Sequence, residues 1–268
     1  LTKPDFKDTI FVLKLFFKEQ KMKFLLLSLL AMVAAVACGS KGRVKDIAKW
    51  PRKQGSREME TNKKLSAVLQ KLHKESDSET WKIFWNLRKG IFRPLKPEDM
   101  KDTYIALSAE QGKYIYDLVV AHKSKRIVEF GTSFGISTLY LAAAAKKNNG
   151  SVVTTEILPE KVKVARKNFA DAGMSSYIEV REGDALKTLE DSPEQIDFIV
   201  LDGWADLYVP LLKKLEPRMK DGCIIITDNT NFSTTKKFVY QYLRENTHYY
   251  SSAAPVGATE FSVFKKEI

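Results

Sequence analysis

Residues 126–135 read RIVEFGTSFG and run directly into ISTLYLAAAAKK at 136–147. A short apolar run, a turn bounded by two glycines and an alanine-rich segment of about three helical turns form the pattern of a buried strand handing the chain to a covering helix. The alternation repeats outward from this point. Downstream, strand SVVTTE (151–156) precedes a helix that Pro159 opens and Gly173 closes. Strand YIEVR (177–181) precedes the short turn-helix DALKTL, strand IDFIVLD (196–202) a helix reaching Met219, and strand CIIITDN (223–229) a helix at 234–245. Upstream, AEQGKYIYDLVVAH after Ser108 predicts a helix ahead of the first strand. Two late strands, near 247–254 and 259–265, linked through Pro255 and Gly257, read as an antiparallel edge hairpin. The expected architecture over 101–268 is therefore α/β, a Rossmann-like, doubly wound and mostly parallel seven-stranded sheet with an antiparallel C-terminal hairpin.

Ligands of such sheets sit at the carboxyl ends of the strands, so the residues there are the candidates for function. The first strand ends in Glu129-Phe130-Gly131-Thr132-Ser133-Phe134-Gly135. Glycines let the backbone approach a ligand closely, although a tight strand-to-helix connection needs them equally. The GxxxG spacing is not the GxGxxG of nicotinamide oxidoreductases, and the turn lacks the lysine-serine pair of a P-loop. At the end of the second strand, Glu156 supplies a carboxylate able to accept both hydroxyls of a ribose, and Gly183-Asp184-Ala185 follows the third at the level of an adenine ring. Together the three predict a site for an adenosine-containing cofactor. The fourth and fifth strands end in Asp202-Gly203-Trp204 and Asp228-Asn229. Two carboxylates and an amide oxygen are hard ligands of the kind Mg²⁺ prefers. The alternative, that Asp228 and Asn229 cap the next helix, stays open here.

EFGTSFGIS, TTEILPEK, REGDAL, LDGWADLYVP and TDNTNF, in this order, resemble the class I S-adenosylmethionine-dependent O-methyltransferases related to catechol O-methyltransferase, especially small bacterial members. The likeness spans roughly residues 100–266. It implies that Glu129, Gly131, Thr132, Ser133 and Gly135 line the methionine side of S-adenosylmethionine, that Glu156 holds the ribose, and that Asp184, Ala185 and Trp204 hold the adenine. It also implies that Asp202, counted with the cofactor as well, joins Asp228 and Asn229 in binding a divalent metal, Mg²⁺ first among them. The implied reaction is methyl transfer to a hydroxyl of a small, catechol-like acceptor. One departure stands out: the family's catalytic lysine falls three residues after the first metal-binding aspartate, and this chain has Ala205 there. Lys236 and Lys237 are the substitutes nearest the fifth strand. A non-catalytic binder of adenosylmethionine that lost its general base is the competing expectation.

The N-terminal hundred residues fall outside the resemblance. Their charge is lopsided: residues 1–38 carry six lysines against three acids and 39–100 sixteen basic residues against eight acids, whereas 101–268 hold twenty-two of each. The net charge of +11 therefore belongs to the extension, which argues for a solvated or lipid-facing surface and against nucleic acid as a partner. Phe24 to Cys38 is an uncharged apolar run of fifteen residues, about 22 Å as a helix against a hydrocarbon core of roughly 30 Å. Ala35-Val36-Ala37-Cys38 allows a cleaved signal or a lipoprotein attached through Cys38. The basic residues Lys41, Arg43, Lys45, Lys49, Arg52 and Lys53 just after it favour instead an anchor with the catalytic domain retained in the cytosol, at the membrane surface. The chain begins at Leu1, with Met22 a natural alternative start. Residues 39–100 read as a basic helical neck in which Leu65, Val68, Leu69 and Leu72, then Trp81, Phe84, Trp85 and Leu87, recur at helical spacing. Two cysteines cannot build a disulfide framework or a Cys-based zinc site, and three scattered histidines show no ligand spacing, which argues against zinc chemistry. Nothing in the pattern sets an oligomeric state.

Overall fold

A computed structural model describes residues 61–87, 96–101 and 107–266. The apolar run 24–38, Cys38 and the basic stretch 41–53 lie outside the described residues, and among those described no helix is long and apolar enough to cross a membrane.

Seven strands form one sheet: β1 (Arg126–Phe130), β2 (Ser151–Glu156), β3 (Ile178–Glu182), β4 (Ile196–Leu201), β5 (Met219–Thr227), β6 (Tyr249–Ala253) and β7 (Glu260–Phe264), in the spatial order β3-β2-β1-β4-β5-β7-β6. The first five are parallel, while β7 runs antiparallel to both β5 and β6. The late hairpin thus inserts its second strand into the sheet and leaves β6 at the edge. The order reverses at β1, where the chain leaves toward β2 on one side and β4 lies on the other. That switch point is where a crevice opens above the strand ends.

Helices α2 (Ala109–His122), α3 (Ile136–Lys147), α4 (Pro159–Asp171), α5 (Ala185–Thr188), α6 (Tyr208–Leu215) and α7 (Ser233–Phe238) connect or cover the strands. α2 starts at a capping box in which the Ser108 hydroxyl accepts from the Gln111 amide and the Gln111 side chain accepts from the Ser108 amide, satisfying two donors that the first turn leaves unpaired. α3 is buried along almost its whole length because its alanines let the neighbours come close. At Gly112 of α2 an added methyl carbon would lie 2.3 Å from the Tyr140 ring of α3, so this helix pair depends on a missing side chain. Ile127, Val128, Ile199, Val200, Leu201, Ile225 and Ile226 put apolar side chains on both faces of the central strands, as a sheet covered on both sides requires.

Two differences from the expected elements have local causes. β5 begins at Met219, four residues before the predicted start, because residues 220–223 bulge opposite Asp197 and the pairing resumes at Phe198 with Ile224. The predicted helix 234–245 is α-helical only to Phe238 and then widens into a π-helical segment, Val239–Arg244. Within the neck, both apolar patches fall on one continuous helix, α1 (Lys63–Leu87). Leu65, Leu69 and Leu72 are buried, α1 packs against α3 and α4, and His73 bonds the Tyr140 hydroxyl at 3.1 Å. Burying each leucine contributes about 1.5–3 kcal/mol, enough to make this helix an integral part of the packed core.

Candidate active site

The carboxyl ends of β1 to β4 and the turn after β5 open onto a cavity of about 510 Å³, a size ordinary for a small-molecule site. On its β1–β2 side the backbone is tied to itself. The Gly131 and Thr132 amides both donate to the Thr155 carbonyl, at 3.2 and 3.1 Å, and the Gly135 amide to the Thr132 carbonyl at 2.8 Å. The Ser133 amide donates to Glu156 Oε2 at 2.9 Å, and the Leu158 amide to Glu156 Oε1 at 3.0 Å. Glu156 is thereby held by two backbone donors from opposite sides while still lining the cavity. Gly131 has φ +106°, and a methyl carbon there would lie 2.7 Å from the Asp202 carbonyl oxygen. The turn therefore closes against β4 only with glycine at this position.

The β4–β5 side is tied together over long sequence distances. Asp228 Oδ1 accepts from Gln111 Nε2 at 2.8 Å and from the Thr259 hydroxyl at 3.0 Å, and Gln111 Nε2 also donates to Thr259 at 2.9 Å. Asn229, at φ +60°, donates from Nδ2 to Asp202 Oδ1 at 2.7 Å. The buried Tyr208 hydroxyl donates to the Leu201 and Gly203 carbonyls and props the end of β4. Asp202 keeps some surface on the cavity but is walled by protein. Burial, then the negative charges of Asp228 and Glu129, push its carboxyl well above the usual carboxylate range, against the opposing pull of Asn229 and Lys161. Burial likewise pushes Asp228 up, against hydrogen bonds from the Asn229 amide, Thr259 and Gln111.

Among the residues singled out from sequence, Gly131, Ser133, Glu156, Asp184, Ala185, Asp202, Trp204 and Asn229 line the cavity, as does Ala205. Glu129, Thr132, Gly135 and Asp228 lie behind that lining. Glu129 is fully buried, with Oε2 accepting from Thr138 and Thr154, and burial raises its pKa. Among the described residues its Oε1 is buried without a hydrogen-bond partner. Asp184 also caps α5 by accepting from the Leu186 amide at 3.0 Å. The cap of α7 is Phe232, which makes no side-chain cap bond, so the helix-capping alternative for Asp228 and Asn229 does not describe their geometry. Among the described residues no group of three or more His, Cys, Asp or Glu side chains is placed to hold a metal ion. Asp202, Asp228 and the Asn229 amide remain an oxygen set that suits a hard cation, because positive charge would relieve the repulsion between the two buried carboxylates. Gln111, Thr259, Phe232 and Lys161 escaped the sequence reading. The capping box at 108–111 was a legible signal for Gln111, but nothing local announces its reach to Asp228.

Residues 74–241 match the protein family described as O-methyltransferase. The chain belongs to the O-methyltransferase family. This family member is 36% identical over 126 residues to a catechol O-methyltransferase of Mycobacterium tuberculosis, and 33% identical over 129 residues to a catechol O-methyltransferase of Niastella koreensis. Each match takes in 47% of this chain, and the chain spans 57% and 58% of those two proteins. Among solved structures, a cofactor-bound protein from MTB superposes on 61% of this chain and 83% of its own, with a TM-score of 0.56 and 27% identity. An O-methyltransferase from Bacillus cereus in complex with SAH, at 24% identity, shares the fold over 74% of this chain and 91% of its own, with a TM-score of 0.57.

Proposed function

We propose that this O-methyltransferase family member binds S-adenosylmethionine in the cavity and transfers its methyl group to a hydroxyl of a small, catechol-like acceptor with the help of Mg²⁺. The observation that carries the reading is Glu156, a carboxylate pinned by two backbone amides at the end of β2 and lining the same cavity as Asp202. S-adenosylmethionine, when bound, supplies an electrophilic methyl, and a divalent cation at Asp202, Asp228 and Asn229 supplies a Lewis acid that lowers the pKa of the acceptor hydroxyl. The chain's own residues do the positioning. Glu156 accepts the ribose hydroxyls and fixes the cofactor along the strand ends. Ala185 and Trp204 give the adenine an apolar seat, and Phe232 lines the same cavity. In-line displacement needs nucleophile and methyl on one axis near van der Waals contact.

Ala205 in the lining favours a second reading, a non-catalytic binder of adenosylmethionine, because alanine takes no proton. Incubation with methyl-labelled S-adenosylmethionine and catechol, with Mg²⁺ or with excess chelator, separates the two. Labelled methyl ether with Mg²⁺ supports the enzyme, cofactor binding without turnover supports the binder, and full turnover in chelator removes the metal from the scheme. Glu156→Ala is expected to weaken binding of the demethylated product by about 1.5–3 kcal/mol in calorimetry; unchanged affinity would contradict the ribose assignment. We also propose that the basic extension holds the protein at the membrane with the domain in the cytosol, where adenosylmethionine is made. Digestion of the domain by protease added to intact spheroplasts would favour export instead.

A further inference from the structure

Lys161, in the first turn of α4, is 5% exposed and lines the cavity. Among the described lining residues it is the only basic side chain, against four carboxylates from Glu156, Asp184, Asp202 and Asp206. Its ammonium points at the glycine turn, donating to the Ser133 hydroxyl at 3.4 Å and standing 5.2 Å from the centre of the Phe134 ring. Its charge offsets only a small part of the upward push that burial, Asp228 and Glu129 exert on the Asp202 carboxyl.

Four backbone donors of the turn it faces are already spent. The amides of Gly131, Thr132, Ser133 and Gly135 are each bonded within the protein, so they do not offer the usual backbone cradle for an anion. An amino-acid ligand entering this end brings one carboxylate into a pocket dominated by negative charge. Its ammonium and sulfonium groups suit the acids; its carboxylate needs a cation, because a buried carboxylate is tolerated only when paired and hydrogen-bonded.

We propose that Lys161, with the Ser133 hydroxyl, binds the carboxylate at the amino-acid end of the cofactor and so selects the intact amino acid over adenosine thioethers and amines. The inference rests on the reading that adenosylmethionine occupies this cavity. A lysine in the first turn of a helix ordinarily stands in solvent. Here the turn residue opposite it is the small Ser133, which leaves room for the long side chain to fold over the turn.

The test is calorimetric binding of S-adenosylmethionine and of its decarboxylated analogue, which keeps adenosine, sulfonium and amine but lacks the carboxylate. Wild-type protein is expected to prefer the intact cofactor by about 10- to 100-fold, the range of a charge-assisted pair. Lys161→Met should erase that preference by weakening the intact cofactor alone, with the analogue bound as well or better, which also reports that the variant site is folded. Lys161→Arg should retain most of the preference. A preference unchanged in Lys161→Met, or an equal loss for both ligands, overturns the assignment while leaving the cofactor reading intact. Failure of the wild-type protein to bind either ligand overturns the cofactor reading and this inference with it.

Discussion

The two walls of the cavity are built by opposite strategies. The β1–β2 wall is stitched by contacts between chain segments about 25 residues apart: Ser133 to Glu156, Thr132 to Thr155, Thr154 to Glu129. The β4–β5 wall depends on partners 117 and 31 residues from Asp228, Gln111 in α2 and Thr259 just before β7. The first wall is one strand-helix-strand unit able to take shape locally. The second exists only once α2 and the late hairpin have docked. The difference also runs through the chemistry, since the local wall carries the ribose candidate Glu156 and the long-range wall the metal candidates and the vacant lysine position.

The largest expected change tests that vacancy. Ala205→Lys places a lysine amine where the resemblance puts a general base, and general-base contributions of about 10²–10⁴-fold predict a gain of that order in turnover of a catechol acceptor. An unchanged rate, with cofactor affinity preserved, would show that the proton leaves by another route. Next, Gly131→Ala strikes the seam between the walls. Both its positive φ and the 2.7 Å approach to the Asp202 carbonyl forbid a methyl, and a loss of roughly 3 kcal/mol in urea-unfolding stability is expected. A loss under about 1 kcal/mol would mean that the walls move apart freely.

Gln111→Leu sharpens the contrast by leaving the local wall untouched. It removes donors to Asp228 and Thr259 and the acceptor for the Ser108 amide, for an expected cost of about 1–3 kcal/mol. Binding of a ribose-containing ligand should stay near wild type, and a matching fall there would erase the distinction. The smallest effect belongs to Glu129→Gln on the local wall. Because burial raises the Glu129 pKa above its ordinary 4.5, the folded state takes up a proton more readily than the unfolded one. Wild-type stability relative to this variant should therefore rise as the pH falls from neutrality toward 4.5, by no more than about 1.4 kcal/mol per pH unit. A flat difference between pH 7 and 5 would place the folded pKa at its unfolded value.

By itself the sequence determined the alternation of strands and helices, the positions of the strand ends and the residues standing there. Apolar runs such as IVEF and FIVL have the period of buried strands, and Gly131, Pro159 and Gly173 punctuate them through backbone geometry that acts locally. The same local legibility put Glu156 and Asp202 at strand termini. Only the tertiary structure decided that β7 lies between β5 and β6, that α1 is a packed part of the core, and that Gln111 and Thr259 hold Asp228. It also decided that Glu129 turns away from the cavity toward Thr138 and Thr154 while Lys161 folds into it. These outcomes depend on which distant surfaces meet, and on the cost of burying a carboxylate or an ammonium without a partner. Neither is written in the spacing of residues along the chain.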